Sequence, residues 1–233
     1  MIEWWQLTDL EIDALRLSLL VSGWSVLGSL PFGIFFAWLL ARVEFPGKSL
    51  LDGVLHLPLV LPPVVVGYVL LVTLGRKGVI GGWLWQTFGI SVVFSWKGAA
   101  IASAVIAFPL LVRAIRLSLE GVDRGLEAAA RTLGAHPVRV FFTITLPLVL
   151  PGVVTGVILA FARSLSEFGA TITFVSSIPG ETRTLPLALY SVTQVPGGDQ
   201  AALRLCIISV VVAFAALLAS EILSRRVQAR LKG

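Results

Sequence analysis

Long blocks without a charged residue dominate the chain. Each block approaches the length of about 20 residues that an α-helix needs to cross the hydrocarbon core of a bilayer. The blocks run from Leu17 to Ala41, Gly53 to Gly75, Gly98 to Val112, Val140 to Ala162 and Leu205 to Ser220. With their flanks they predict five spans, at about 14–41, 53–75, 97–117, 140–165 and 203–223. The pattern therefore predicts an all-α, polytopic membrane protein with one transmembrane domain over residues 1–233.

Two regions depart from this simple pattern. The stretch Phe168–Ile178 is apolar but too short to cross, so it is either a continuation of the fourth helix or a re-entrant segment. In the second block Pro58, Pro62 and Pro63 fall within six residues. A proline frees a helix carbonyl that lipid cannot satisfy, although a single one could be a simple packing kink. Three together favour a functional bend that lines a path.

Composition agrees with a membrane protein. Of the 233 residues, 57% are hydrophobic and 13% charged, whereas soluble domains have about 25% charged residues. The net charge of +5 could suggest nucleic acid, but the Lys and Arg residues are spread between apolar blocks and form no aromatic-interleaved basic patch. Nucleic-acid binding is therefore excluded, and the expected surroundings are membrane lipid.

The basic residues predict the orientation, because positively charged loops resist translocation. If five helices alternate, most of the 18 Lys and Arg fall on one side. They are Arg42, Lys48, Arg113, Arg116, Arg124, Arg131, Arg139, Arg225, Arg226, Arg230 and Lys232. The opposite side begins with the acidic residues Glu3, Asp9, Glu11 and Asp13. This predicts an N-terminus outside and a C-terminus in the cytoplasm.

The longest cytoplasmic loop, residues 113–142, contains a predicted short helix. Asp123 can cap it, and Gly134 followed by Pro137 can end it. Leu126, Ala130 and Leu133 fall on one face. A helix of this length is marginal alone in water, so it needs a partner or the rest of the protein. The alternative is an interfacial helix on lipid, but a stripe of Ala and Leu without Trp or Phe favours contact with protein.

The same loop carries a recognisable spacing. It resembles the EAA loop of permease subunits of binding-protein-dependent ABC importers, in which EAA, three residues, Gly, nine residues, Ile, one residue and Leu-Pro follow in order. Gly134, Ile144, Leu146 and Pro147 match that spacing, and Ala129 and Ala130 occupy the two alanine positions. Glu127 stands one residue early, with Ala128 in the usual acidic position.

The resemblance covers nearly the whole chain. The stretches ARVEFPGKSLLDGVLHLPLVLPPVVVGY, ARTLGAHPVRVFFTITLPLVLPG and FARSLSEFGATITFVSSIPGETRTLPLALY are similar to molybdate importer permeases, and tungstate and sulfate permeases are the alternatives. It implies a type I ABC importer permease in the bacterial inner membrane. It also implies a homodimer, two ATPase subunits and a periplasmic oxyanion-binding protein. The residues that would dock the ATPase are Leu126, Glu127, Ala129, Ala130, Arg131, Leu133 and Gly134.

No catalytic or metal site is predicted. Gly47, Lys48 and Ser49 imitate the end of a phosphate-binding loop, but Arg42 stands where its first glycine should be and a membrane helix precedes it instead of a strand. His56 and His136 have no second ligand at metal spacing. The chain is therefore expected to bind no cofactor and to be no enzyme, with ATP and Mg on the partner ATPase.

Arg163 and Glu167 lie one helical turn apart at the outer end of the fourth span. A charged pair embedded in the membrane would face protein or water, whereas the alternative places both residues at the interface. Within the resemblance, the segment Ser166 to Ala170 belongs near the translocation path. The candidate path residues are Pro62, Pro63, Arg163, Ser166, Glu167 and Gly169. A stand-alone secondary transporter is a rival hypothesis, which would need coupling carboxylates deep in the spans, where only Glu167 is a candidate.

Overall fold

The computed structural model describes the backbone of residues 7–232, with side chains up to Ser220 and, beyond it, those of Ile222 and Arg226. Of the residues behind the predicted orientation, those outside the described part are Glu3 and the side chains of Arg225, Arg230 and Lys232. Within the described part the chain is almost wholly helical.

The helices follow one another through short turns. They are α1 (Asp9–Arg42), α2 (Lys48–Val60), α3 (Pro63–Leu74), α4 (Val79–Phe88), α5 (Trp96–Glu120), α6 (Arg124–Thr132), α7 (Pro137–Val140), a π-helix (Phe141–Thr145), α8 (Leu146–Leu165), α9 (Gly169–Val175), α10 (Leu185–Thr193) and α11 (Asp199–Lys232). The prediction of an all-α protein is confirmed.

Among the residues that the structure describes, four helical stretches are long and apolar enough to cross a membrane: Asp9–Arg42, Trp96–Glu120, Pro137–Leu165 and Asp199–Ser220. A fifth candidate consists of α2 and α3 together, which meet at an angle of 114°. The break lies at Leu61 and Pro62, because a residue that precedes proline is disfavoured in the helical conformation. The segment predicted as the second span, 53–75, is therefore sharply bent.

Thr8 and Glu11 start α1 with reciprocal capping bonds. Glu11 N–H donates to Thr8 Oγ1 (3.4 Å), and Thr8 N–H donates to Glu11 Oε2 (2.8 Å). The same carboxylate accepts two bonds from Arg204 of α11, from Nε to Oε1 at 2.8 Å and from Nη2 to Oε2 at 2.9 Å. The first and last helices thus begin on the same side of the protein, as an odd number of crossings requires.

α5 lies at the centre of the fold and packs against α1 and α8. Leu111 of α5 is fully buried between glycines of both neighbours. A Cβ atom added to Gly33 of α1 would lie 2.7 Å from Leu111 Cδ2, and one added to Gly156 of α8 would lie 3.1 Å from Leu111 Cδ1. Small residues at these positions let the three helices approach closely.

The weak apolar stretch after the fourth span forms a separate short helix. α8 ends at Leu165, and α9 begins only at Gly169. The Phe174 side chain of α9 is completely buried in a cluster with residues of α3 and α5. Residues 168–178 therefore do not continue α8 as one straight helix, and α9 is held inside the protein against α3.

Candidate docking helix and transport site

The short helix in the loop between α5 and α8 has defined ends. Asp123 Oδ1 accepts a hydrogen bond from Gly125 N–H (2.8 Å) at the start of α6. At its end Gly134 has φ +84°, a left-handed conformation that glycine adopts without strain, and Ala135 N–H reaches back to the Ala130 carbonyl (3.1 Å). The observed helix, Arg124–Thr132, agrees with the predicted helix over 123–133 to within one residue at each end.

One face of α6 is apolar and points away from the protein. Leu133, at the end of the helix, is 88% exposed and Leu126 is 49% exposed. Ala129 lies between them and is also exposed. Exposed Leu and Ala side chains that face away from the helices of the same chain are typical of a surface that a protein partner covers.

The opposite face of α6 is tied to the protein by polar contacts. Glu127 Oε1 lies 3.1 Å from Arg42 Nη2, at the end of α1, and accepts a hydrogen bond from Thr145 Oγ1 at 2.9 Å. Arg42 Nη2 also donates to the Val122 carbonyl (3.3 Å), and Arg124 Nη2 donates to the Ala41 carbonyl (3.3 Å). The predicted docking residues therefore divide between two faces of the helix.

Of the predicted docking residues, Leu126, Ala129 and Leu133 face outward, whereas Glu127 and half-buried Ala130 face the protein. Arg131 is exposed at the edge of a groove of about 470 Å³ that Glu127 and aromatic side chains of α1 and the π-helix also line. Gly134 ends the helix.

The predicted path residues come together where two interrupted helices meet. The break between α2 and α3 lies against the break between α8 and α9. A Cβ atom added to Gly169 would lie 2.8 Å from Pro63 Cβ, and one added to Gly67 would lie 2.6 Å from the Ala170 carbonyl oxygen. Backbones at such a separation leave no room for side chains, so α3 and α9 behave as one packed unit.

Arg163 and Glu167 form an ion pair beside this contact. Arg163 Nη1 lies 2.8 Å from Glu167 Oε2, and the Glu167 side chain is 1% exposed. Glu167 Oε1 accepts a hydrogen bond from Ala170 N–H (2.8 Å), which fixes the first turn of α9. Glu167 is therefore enclosed by protein, whereas the Arg163 side chain is 29% exposed. Ser166 is exposed, and its hydroxyl donates to the Arg163 carbonyl (3.1 Å).

A model of the family of binding-protein-dependent transport system inner membrane components matches residues 29–229. The chain belongs to this family. Its sequence is 68% identical over 219 residues to the molybdenum transport system permease protein ModB of Escherichia coli K12, with 94% of this permease and 96% of that protein covered. It is 38% identical over 217 residues to the sulfate transport system permease protein CysW of Synechocystis, with 92% and 77% covered.

A solved structure has the same fold as this permease. It is a bacterial ABC transporter involved in the import of the acidic polysaccharide alginate, with a TM-score of 0.75, 21% identity, and coverage of 94% of this chain and 80% of that one. The prediction of a type I ABC importer permease architecture is confirmed. At this identity the likeness shows the fold alone.

Three residues of the permease's sites were missed by sequence reasoning. In the sequence Arg42 is only a basic flank of a span, and Thr145 lies inside an apolar block. Gly67 does carry a signal, because an isolated glycine in a run of Val and Leu indicates a close approach of backbone. Arg42 and Thr145 carry no such signal, since their importance depends on contacts with Glu127 across the fold.

Proposed function

We propose that this permease carries molybdate into the cytoplasm as the membrane subunit of an ABC importer. The observation that carries the proposal is the exposed apolar face of α6, Leu126, Ala129 and Leu133, at the cytoplasmic loop where the family spacing occurs. That face offers a separate ATPase subunit a surface on which to bind. The high identity to a molybdenum permease, against the lower identity to a sulfate permease, favours molybdate over sulfate.

ATP and Mg would be bound by that ATPase. In this chain Gly47 caps the start of α2 at φ +88°, and the element before it is α1. A phosphate-binding loop instead joins a strand to a helix and wraps phosphate in several backbone N–H groups. This setting of Gly47 supports the proposal that the chain has no nucleotide site of its own and that hydrolysis is left to the partner.

The permease would act as a homodimer with two ATPase subunits and a periplasmic oxyanion-binding protein. Pro62, at the break between α2 and α3, is exposed in the single chain. Lipid cannot satisfy the backbone groups that a helix break frees, so a second copy of the chain or a water-filled path must lie beside it. The break is thus a suitable boundary for a path between two protomers.

The orientation follows from the docking face. If α6 meets an ATPase, it lies in the cytoplasm. The ends of α1 and α11 that meet through Glu11 and Arg204 then lie outside, which places the N-terminus outside and the C-terminus inside. The distribution of Lys and Arg supports the same orientation.

Selectivity would reside mainly in the binding protein. A conduit that held a dianion tightly would release it slowly, and hydroxyl and backbone N–H groups are enough to pass it on. Pro62, Pro63, Arg163, Ser166, Glu167 and Gly169 are the proposed path residues. Since Glu167 is already paired with Arg163, it is a poor coupling-ion site, which weakens the alternative of a stand-alone secondary transporter.

Reconstitution into vesicles tests the proposal. The permease with its ATPase and binding protein should accumulate molybdate only with ATP and Mg present. Sulfate added in the same excess should compete less well than unlabelled molybdate. Uptake by the permease alone would overturn the ABC mechanism, and equal competition by sulfate would overturn the substrate assignment.

A further inference from the structure

Glu127 connects three separate elements at the cytoplasmic side. Its carboxylate belongs to α6, its cationic partner Arg42 is the last residue of α1, and its hydroxyl partner Thr145 is the last residue of the π-helix. Only 13% of the Glu127 side chain and 9% of the Arg42 side chain are exposed. A carboxylate so enclosed has little surface left with which to touch another subunit.

The direction of this side chain follows from its position in the sequence. Neighbouring residues of an α-helix point about 100° apart. Ala128 occupies the position where the family pattern has its acidic residue, and it is exposed. Glu127, one residue earlier, is rotated from that outward direction toward Arg42. The one-residue displacement thus turns the carboxylate from a partner-facing position to a protein-facing one.

The element that Glu127 meets on the other side is irregular. The π-helix Phe141–Thr145 precedes α8, and wide turns of this kind are common at functional sites and bends. Pro147 lacks a backbone donor for the turn before it. The Thr145 side chain is almost completely buried, and its hydroxyl donates to the same Glu127 oxygen that faces Arg42. The Glu127 carboxylate therefore fastens the start of α8 to α6.

We propose that Glu127 is a positioning residue that transmits movement of α6 to α1 and α8 and makes no contact with the ATPase. This rests on the proposed function, in which the ATPase binds α6. Binding belongs to the opposite apolar face, with Leu126, Ala129 and Leu133. Displacement of α6 pulls on Arg42 and Thr145 together, so the ends of two membrane helices move with it. Docking and coupling are thus divided between two faces of one short helix.

Substitution at Glu127 tests this division in the assembled importer. Glu127→Gln should leave the recovery of ATPase with the permease unchanged, because the apolar face is intact. It should lower molybdate uptake per ATP hydrolysed by about tenfold, as expected if about 1.4 kcal/mol of coupling is lost. Leu133→Asp is the matched control on the other face and should reduce ATPase recovery instead. Loss of the ATPase from Glu127→Gln, or unchanged uptake per ATP, would overturn the proposal.

Exchanging the charges of Arg42 and Glu127 distinguishes a loss of coupling from simple misfolding. The double variant Arg42→Glu with Glu127→Arg restores opposite charges between α1 and α6. We expect it to recover more uptake per ATP than either single change. If the double variant recovers no more uptake per ATP than the worse single variant, the pair of Arg42 and Glu127 does not couple α6 to α1.

A measurement on the purified permease alone keeps the inference distinct from the proposed function. Glu127→Ala should speed amide hydrogen exchange in α6 and in the π-helix by about tenfold or more, while exchange in the middle of α5 stays as in the wild type. Unchanged exchange in α6 would refute the link. Failure of ATP-dependent uptake by the wild-type complex would refute the proposed function and leave the exchange result standing.

Discussion

The contact of α6 with the rest of the chain and the contact of α3 with α9 are held together by different interactions. No residue of α6 is buried, and a few polar side chains hold the helix in place. In α9, by contrast, Ala170, Thr171, Phe174 and Val175 are all buried, and Gly67 of α3 brings the two backbones together. Polar contacts at a surface can re-form after a small shift, whereas backbones in close contact cannot slide past one another. The comparison indicates that α6 can shift relative to the other helices, whereas α3 and α9 move together as one rigid unit.

The stiffness of the α3–α9 contact is tested most directly by Gly67→Leu. The added Cβ would come within 2.6 Å of the Ala170 carbonyl oxygen, so the two helices must separate. We expect a loss of about 3 kcal/mol of unfolding free energy, measured by thermal unfolding in detergent. Gly53→Leu is the matched control, because a Cβ there meets nothing within 4 Å. Equal destabilisation by the two variants would contradict the close contact.

The second test concerns Glu167, which holds the start of α9. Glu167→Ala removes the acceptor of the Ala170 N–H and the partner of Arg163, and should cost about 2 kcal/mol. Glu167→Gln keeps an acceptor at the same position and should cost about half as much in the same unfolding assay. If the two variants lose the same amount, the ion pair accounts for the effect and the bond to α9 does not.

The third test concerns Gly134, which ends α6. Its φ of +84° disfavours any residue with a Cβ, although a Cβ there would meet open space. Gly134→Val should therefore weaken α6 locally by about 1–2 kcal/mol without changing the α3–α9 contact. ATPase recovery and molybdate uptake should both fall, while Gly134→Asn, which tolerates this conformation better, should lose less. Full uptake and recovery in Gly134→Val would contradict a docking role for α6.

The smallest effect is expected from Glu44 and Lys48, an exposed pair with 2.7 Å between Oε1 and Nζ. The hydrogen bond from Lys48 lowers the pKa of Glu44 from its ordinary value of 4.5. Because the pKa of Glu44 is lower in the folded state, the pair stabilises the fold at pH values above the ordinary pKa. This stabilisation is lost as the pH falls through the folded-state pKa. Glu44→Gln should shift the unfolding temperature at pH 7 by less than about 1 °C, and the difference should vanish in acid. A shift as large as that of Glu167→Gln would contradict the distinction between a surface pair and a largely buried one.

Patterns local in sequence predicted much of the fold. Uncharged blocks marked the membrane helices because lipid excludes charge, and Asp123 and Gly134 marked α6 because its ends depend on neighbouring residues. The break at Pro62 was expected. Its contact with Gly169 was not, because that contact joins segments about a hundred residues apart. The inward direction of Glu127 was also missed. Periodicity gives the relative directions of side chains on a helix, whereas only the packed structure shows which face meets the protein.

The bond between Glu11 and Arg204 has a consequence for biosynthesis. The two residues are 193 positions apart, so at about 5–20 residues per second the ribosome needs about 10–40 s to make the second after the first. During that interval the carboxylate of the first helix lacks Arg204 as its partner. When α11 inserts, Arg204 joins the last helix to the first with two hydrogen bonds. The pair therefore forms only after all the intervening helices have been made.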